Sequence, residues 1–223
     1  MCAAVAFLIR QGTCMTIKAV IFDLGGVVFD SPLEVLAAYE ARKGLPPNFL
    51  NRVIVESGRR GAWSRLERGV FGLQEFSGAF DAEVAAAGGN ISSVELMAEI
   101  AKSFRVRPVM MEAIRRIRSA GLKVAALTNN WLLEDHDAGL AELMKAEFDV
   151  FVESSAVGLQ KPDPRIYELV CESLAVRPDE AVFLDDIGRN LKPARQLGMV
   201  TIKVAEADQA LSQLEAVLSM PLR

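Results

Sequence analysis

The chain is poor in the residues that most often announce a metal or redox centre, with one histidine and three cysteines among 223 residues. Cys2, Cys14 and Cys171 lie far apart in no metal-ligand spacing, and their odd number argues against a disulfide framework. His136 falls in a polar stretch, where a surface position is expected. Positive charge is also in deficit: the formal net charge is -4, which argues against duplex nucleic acid as a partner. Arg59, Arg60, Arg65 and Arg68 cluster, but Glu67 and apolar neighbours between them suit a solvated helix face. No apolar run is long enough for a bilayer. Residues 2–9 are apolar, yet they are too few to span and lack a preceding basic flank. No membrane partner and a cytoplasmic location are therefore expected. No internal repeat or low-complexity tract occurs.

What is present is an ordinary globular composition, with 51% hydrophobic and 24% charged residues, in a length that suits one sizeable core plus an insertion, or two modest units. Residues 18–22 form a strand-like run that delivers Asp23 directly into Leu24, Gly25 and Gly26. Glycines let a ligand approach the backbone, and a carboxylate at a strand end can attack or hold a metal. The same pattern also suits a simple turn in which Asp23 bonds its own backbone. From Pro108 onward helix and strand alternate. Pro108 opens a helix with Met111, Ile114 and Ile117 on its apolar stripe, and Gly121 closes it. Residues 123–128, 149–152, 181–184 and 199–204 read as strands, and residues 164–174, 190–197 and 208–218 as helices. A polar, helix-prone stretch follows Asn129. The alternation predicts an α/β fold with a parallel sheet.

Residues 31–105 contain no convincing strand and several helical patterns, around 49–57, 74–87 and 94–104, with Ser31 and Pro32 as a helix cap and first position. The expected organisation is an α/β core from residues 15–30 and 106–223, with 31–105 as a helical insertion. Residues 1–14 are expected to lie outside the fold, with Met15 a candidate start.

Four polar features fall at the carboxyl ends of the expected strands: Asp23, then Thr128 with Asn129, then Lys161, then Asp185 with Asp186. Each has a bland explanation as a cap, loop or turn residue, but that edge is where open α/β sheets bind ligands, and one shared site explains all four. Neighbouring carboxylates repel unless a cation or proton is shared, and a hard divalent ion such as Mg²⁺ is the natural choice. Lys161 and the short donors beside it would then hold a phosphate in line with Asp23. The expected chemistry is phosphoryl transfer through an aspartyl phosphate, with water as final acceptor.

These four motifs, in this order, resemble the haloacid dehalogenase superfamily. The C-terminal half adds Glu153, Ser154, Gly158, the stretch 161–167, and the runs Leu-Asp-Asp-Ile-Gly and Asn-Leu-Lys-Pro-Ala-Arg. In these residues the chain is similar to the N-terminal phosphatase domain of soluble epoxide hydrolase and to the hydrolase domain fused to some acyl-CoA dehydrogenases. The resemblance covers residues 17–204 and implies a Rossmann-like core with an inserted α-helical cap, the cap including a Trp63, Leu66, Glu67, Gly69 pattern. It further implies Asp23 as nucleophile and magnesium ligand, the Gly25 carbonyl as a second ligand, Asp186 as a direct ligand, and Asp185 acting through water. Thr128 and Asn129 match the phosphate-binding pair, Lys161 the neutralising lysine, and Gly26 a further substrate-binding position. The implied substrate is a small phosphorylated metabolite; monomer and dimer both remain open.

The departure from the family is Gly25. Typical phosphatases of the superfamily carry a second Asp there as general acid and base, a group whose loss costs about 10²- to 10⁴-fold in rate. Asp30 is better read as a hinge or helix-start residue than as its replacement. Two alternatives therefore stand beside a phosphatase: a regulatory module that binds phosphate and metal without turnover, and a haloacid dehalogenase, against which the acidic pair argues. Trp63, Arg65 and Arg68 are candidate specificity residues, with cap core and a solvent face as their plainer readings.

Overall fold

The computed structural model of the chain describes residues 16–103, 105–130 and 138–223. The expectations for residues 1–14, Met15, Phe104 and His136, and for part of the stretch after Asn129, lie outside the described residues.

Five strands, β1 (Ala19–Phe22), β2 (Lys123–Thr128), β3 (Val150–Glu153), β4 (Ala181–Asp185) and β5 (Val200–Lys203), form one sheet in the order β3-β2-β1-β4-β5. Every adjacent pair is parallel. The inner strands are continuous apolar runs because both faces are covered, as a parallel sheet requires. Successive side chains alternate between the layers. Val20, Phe22, Val124, Ala126, Val182 and Leu184 pack on one side against α6 (Pro108–Ser119) and α11 (Ala207–Leu218). Ala19, Ile21, Ala125, Leu127 and Phe183 pack on the other against α9 (Pro164–Leu174) and α10 (Gly188–Gln196). The chain runs outward from β1 through β2 to β3, then returns to the far side of β1 for β4. This reversal puts a crevice at the carboxyl ends of β1 and β4.

Between β1 and α6 five helices, α1 (Pro32–Lys43), α2 (Phe49–Ser57), α3 (Ala62–Glu67), α4 (Leu73–Ala86) and α5 (Ser93–Ser103), pack around an apolar cluster of their own. Trp63 sits edge-on to Phe76 and Phe80 at ring separations of 5.6 and 5.5 Å, with Phe76 stacked on Phe80. Buried Glu40 is satisfied by the backbone N–H groups of Asn48 and Leu50, both at 2.8 Å. Among the described residues the other α-helices are α7 (Ala138–Ala146) and the single turn α8 (Ser154–Val157). Helix α3 falls in the arginine-rich stretch expected to present a solvated helix face, but Ala62, Trp63, Ser64 and Leu66 on it are buried; α8 is not foreseen from sequence, since four residues are too few to show a helical period. Strand β4 runs one residue beyond expectation, so Asp185 belongs to the sheet rather than to the loop after it. Among the described residues no helix is long and apolar enough to cross a membrane.

Candidate active site

The carboxyl ends of β1, β2 and β4 bring Asp23, Thr128 and Asp185 to one edge. The Asp23 backbone N–H donates to the Leu184 carbonyl at 2.9 Å, which ties the first acidic residue to the strand carrying the pair. Lys161 arrives from the loop between α8 and α9. Its backbone N–H donates to Asn129 Oδ1 at 2.8 Å, while Asn129 Nδ2 donates to the Lys161 carbonyl at 3.0 Å. This reciprocal clamp fixes the lysine's backbone to the end of β2, and the side chain runs inward. Its Nζ lies 2.9 Å from Asp23 Oδ1 and 2.8 Å from Asp185 Oδ2, with only 1% of the residue exposed.

Asp185 is fully buried. Its carboxylate accepts the Ile187 N–H at 2.7 Å and both of its oxygens face Asn190 Nδ2 at 3.1 Å. Asn190 in turn is fixed by the Tyr167 hydroxyl, which donates to its carbonyl at 2.7 Å. Asp186 has one oxygen held by the Ser31 hydroxyl at 3.3 Å and the other, Oδ1, buried without a hydrogen-bond partner. Asp23, Asp185 and Asp186 each offer an oxygen, and these atoms lie within 4.8 Å of one another.

Three carboxylates face one ammonium here, and the electrostatics reflect it. Burial pushes Asp23 well above the usual carboxylate range; Lys161 pulls it back, while Asp185 and Asp186 push it further up. Burial, then Asp185, raise Asp186 to about 6. Burial would lower Lys161, but Asp185 and Asp23 outweigh it and hold the lysine above its ordinary value, so it stays charged. The set is short of positive charge. An all-oxygen donor group with an orphaned buried oxygen suits a hard divalent cation such as Mg²⁺.

The site lines a cavity of about 110 Å³ in which Asp23, Gly25, Thr128, Asn129, Lys161 and Asp186 meet. Gly26 is not among its lining residues. It adopts φ +77°, and a Cβ there would overlap the Asp186 carboxylate, so this glycine makes room for Asp186. A Cβ at Gly25 would stand 3.3 Å from Pro32 Cδ at the start of α1, a tight approach that leaves little space for a longer side chain. A second cavity of about 450 Å³ adjoins the first, walled by Ile54, Val55, Arg59, Trp63, Gln160 and Arg189.

Asp30 pairs with Arg107 at 3.5 Å and lines neither cavity. Of the arginines flagged in the sequence, Arg65 lies over the Phe71 ring at 3.6 Å, and Arg68 holds Ser64, Gln160 and the Arg59 carbonyl. Trp63 combines its two readings, since it is buried among aromatics and also lines both cavities. Sequence reasoning missed Ser31, Glu67, Arg189 and Asn190 as parts of the site. Asn190 had a usable signal, falling in the first turn of α10 just after the acidic pair; the others are brought in only by packing of the insertion or by the mouth of the crevice.

A sequence model of the haloacid dehalogenase-like hydrolases matches residues 17–198. The chain belongs to that family. Among related proteins, the haloacid dehalogenase-like chain is 39% identical over 208 residues to acyl-CoA dehydrogenase family member 10 of Mus musculus, covering 92% of this chain and 19% of that protein. It is 34% identical over 221 residues to bifunctional epoxide hydrolase 2 of Sus scrofa, covering 93% and 40%. The chain thus spans less than half the length of either relative. A shorter match, 30% identical over 108 residues, is to (S)-2-haloacid dehalogenase 4A of Burkholderia cepacia and covers 46% and 45%. A family enzyme from Bacteroides thetaiotaomicron, crystallised with magnesium and inorganic phosphate, superposes with a TM-score of 0.60 at 22% identity, covering 89% of this chain and 98% of that one. That likeness shows the haloacid dehalogenase-like fold, and family membership makes the protein a hydrolase.

Proposed function

We propose that this hydrolase is a Mg²⁺-dependent phosphatase of small phosphorylated metabolites, acting through an aspartyl phosphate on Asp23. The observation that carries this reading is the buried Lys161 ammonium, which touches Asp23 and Asp185 while Asp186 keeps an unpartnered oxygen beside them. The Asp23 and Asp186 carboxylates and the Gly25 carbonyl would hold the metal directly, with Asp185 acting through water. When bound, Mg²⁺ supplies charge neutralisation at the transferring phosphoryl group.

Asp23 Oδ attacks phosphorus, and the bond from phosphorus to the leaving oxygen breaks. Lys161 opposes the burial that favours protonation of Asp23, and it also faces the phosphoryl oxygens. Thr128 and Asn129, at the end of β2, donate to those oxygens and hold them in line with Asp23. Water then attacks the aspartyl phosphate and regenerates the carboxylate. The helical insertion acts as a cap that closes over the site, excludes bulk water and contacts the leaving group. Its links to the core support this role: Ser64 Oγ and Arg68 Nε reach Gln160 Oε1 at 2.7 and 3.0 Å, and Arg59 reaches Asp163 at 3.4 Å.

Gly25, which removes the usual acid, favours a second reading as a phosphate- and metal-binding module without turnover. One screen separates the two. Phosphorylated metabolites are offered with and without Mg²⁺, using Asp23→Asn as the blank. The phosphatase reading expects Mg²⁺-dependent phosphate release at least about 10³-fold above the variant. Equal rates with Mg²⁺-dependent phosphate binding would leave the binding module, and halide release without Mg²⁺ from a 2-haloacid would point to carbon chemistry instead.

A further inference from the structure

The acids next to the nucleophile are already committed. Gly25 carries no side chain, Asp30 is paired with Arg107, and Asp23 and Asp186 belong to the group around Lys161. Two other carboxylates line the adjoining spaces. Asp163 caps α9 and is held down to about 2 by Arg165, so it carries no proton to give. The remaining one is Glu67, at the last position of α3, and it lines both cavities.

That position has a geometric meaning. The phosphoryl group sits in the smaller cavity against Asp23 and Lys161, and the larger one is the space available for the alcohol. The ester oxygen joining them therefore lies at the junction, where Glu67, Trp63, Ile54, Lys161 and Arg189 are shared by the two cavities. Glu67 is held there by both its backbone and its side chain. Its carbonyl accepts the Ser154 hydroxyl at 2.5 Å and its Oε1 accepts Trp63 Nε1 at 3.1 Å. Oε2 meets Asn129 Nδ2 and Gln160 Nε2 only at 3.3 and 3.4 Å, loosely enough to exchange them for a substrate oxygen.

We infer that Glu67, reaching in from the helical insertion, is the general acid and base that replaces the side chain missing at Gly25. This inference rests on the phosphatase reading. As Asp23 attacks phosphorus, the electron pair of the breaking P–O bond passes to the leaving oxygen, which takes the proton from the Glu67 carboxyl. The Glu67 carboxylate then removes a proton from the water that attacks the aspartyl phosphate, and Asp23 departs as a carboxylate. Each turnover returns both groups to their starting forms. Burial pushes Glu67 above the ordinary carboxylate range, against Trp63, Arg189, Lys161 and Asn129, which favour its charged form. The group can thus both hold a proton and be stabilised after losing it.

The test compares wild type, Glu67→Gln and Asp23→Asn, with Mg²⁺, on acetyl phosphate, p-nitrophenyl phosphate and simple alkyl phosphates. The first two have leaving groups that need no proton; the alkyl esters do. Glu67→Gln is expected to lower kcat/KM, which reads the phosphoryl-transfer half-reaction and its acid, about 10²- to 10⁴-fold more on alkyl phosphates than on acetyl phosphate, while kcat falls on every compound through loss of the base. Retained kcat/KM on acetyl phosphate also shows that the variant folds. A uniform loss of kcat/KM across the series would assign Glu67 a structural role, and no loss of kcat/KM on alkyl esters would remove it from the chemistry; either result overturns the inference. Wild type no faster than Asp23→Asn on every compound would instead sink the phosphatase reading, and this inference with it.

Discussion

At the scale of single residues, the site is organised by a shortage of space as much as by charge. Lys161 is enclosed by two carboxylates, so removing the lysine would leave both acids as uncompensated buried ions. Gly26 meets the third acid at such short range that no side chain fits between them. Gly26→Ala must displace the Asp186 carboxylate and also strain a backbone at φ +77°. The expected outcome is at least tenfold weaker Mg²⁺ binding by isothermal calorimetry with the overall fold retained; unchanged affinity would remove Asp186 from the metal site. The types and order of Asp23, Thr128, Asn129, Lys161, Asp185 and Asp186 were legible in the chain because each follows a strand with a readable apolar run. Glu67 was visible only as part of a pattern in a charged, arginine-rich stretch. Its burial and its place at the cavity junction follow from how α3 docks on the core, which local sequence does not encode.

Elements differ in how much of their geometry is local. Helix α9 announces itself fully, with Asp163 as N-cap accepting the Arg165 N–H at 3.1 Å, Pro164 at the first position, and an apolar stripe through Ile166, Val170 and Leu174. Asp163→Ala is expected to cost about 1 kcal/mol in urea unfolding, and Asp163→Asn clearly less, since asparagine retains the cap. A loss in Asn as large as in Ala would show that the pairing with Arg59 and Arg165, not the cap, matters. Because Asp163 is held below its ordinary value, its contribution is present above about 3.8 and is lost as pH falls through about 2. Helices α3 and α8 lie at the other extreme. Each is a short turn that forms where other elements hold it, and the two are joined by the Ser154 hydroxyl donating to the Glu67 carbonyl.

For the whole molecule, the concentration of acids at one sheet edge is a cost carried by the global stability. Asp186 titrates at about 6 in the fold against an ordinary value of 3.8, so the folded state holds its proton more tightly than the unfolded chain. The stabilisation from that proton is complete below about 3.8 and is lost as pH rises through about 6. A bound divalent ion favours the ionised form and acts in the opposite sense. Mg²⁺ is therefore expected to raise Tm more at about pH 7.5 than at about pH 5, and Asp186→Asn is expected to remove most of that difference. Equal shifts at both pH values would place the ion elsewhere.

The sequence by itself determined the α/β class, the run of buried strands and the chemistry presented at their ends, because strand and helix periods, proline and glycine punctuation, and residue type are local properties. The tertiary structure decided how those ends converge. The order β3-β2-β1-β4-β5 places residues far apart in the chain, such as Asp23 and Asp185, on neighbouring strands, and it sets Lys161 between them. It also decided that a carboxylate from the insertion, Glu67, borders the same cavity as Asp23. Both outcomes depend on contacts across long stretches of chain, where packing and desolvation act and the local pattern is silent.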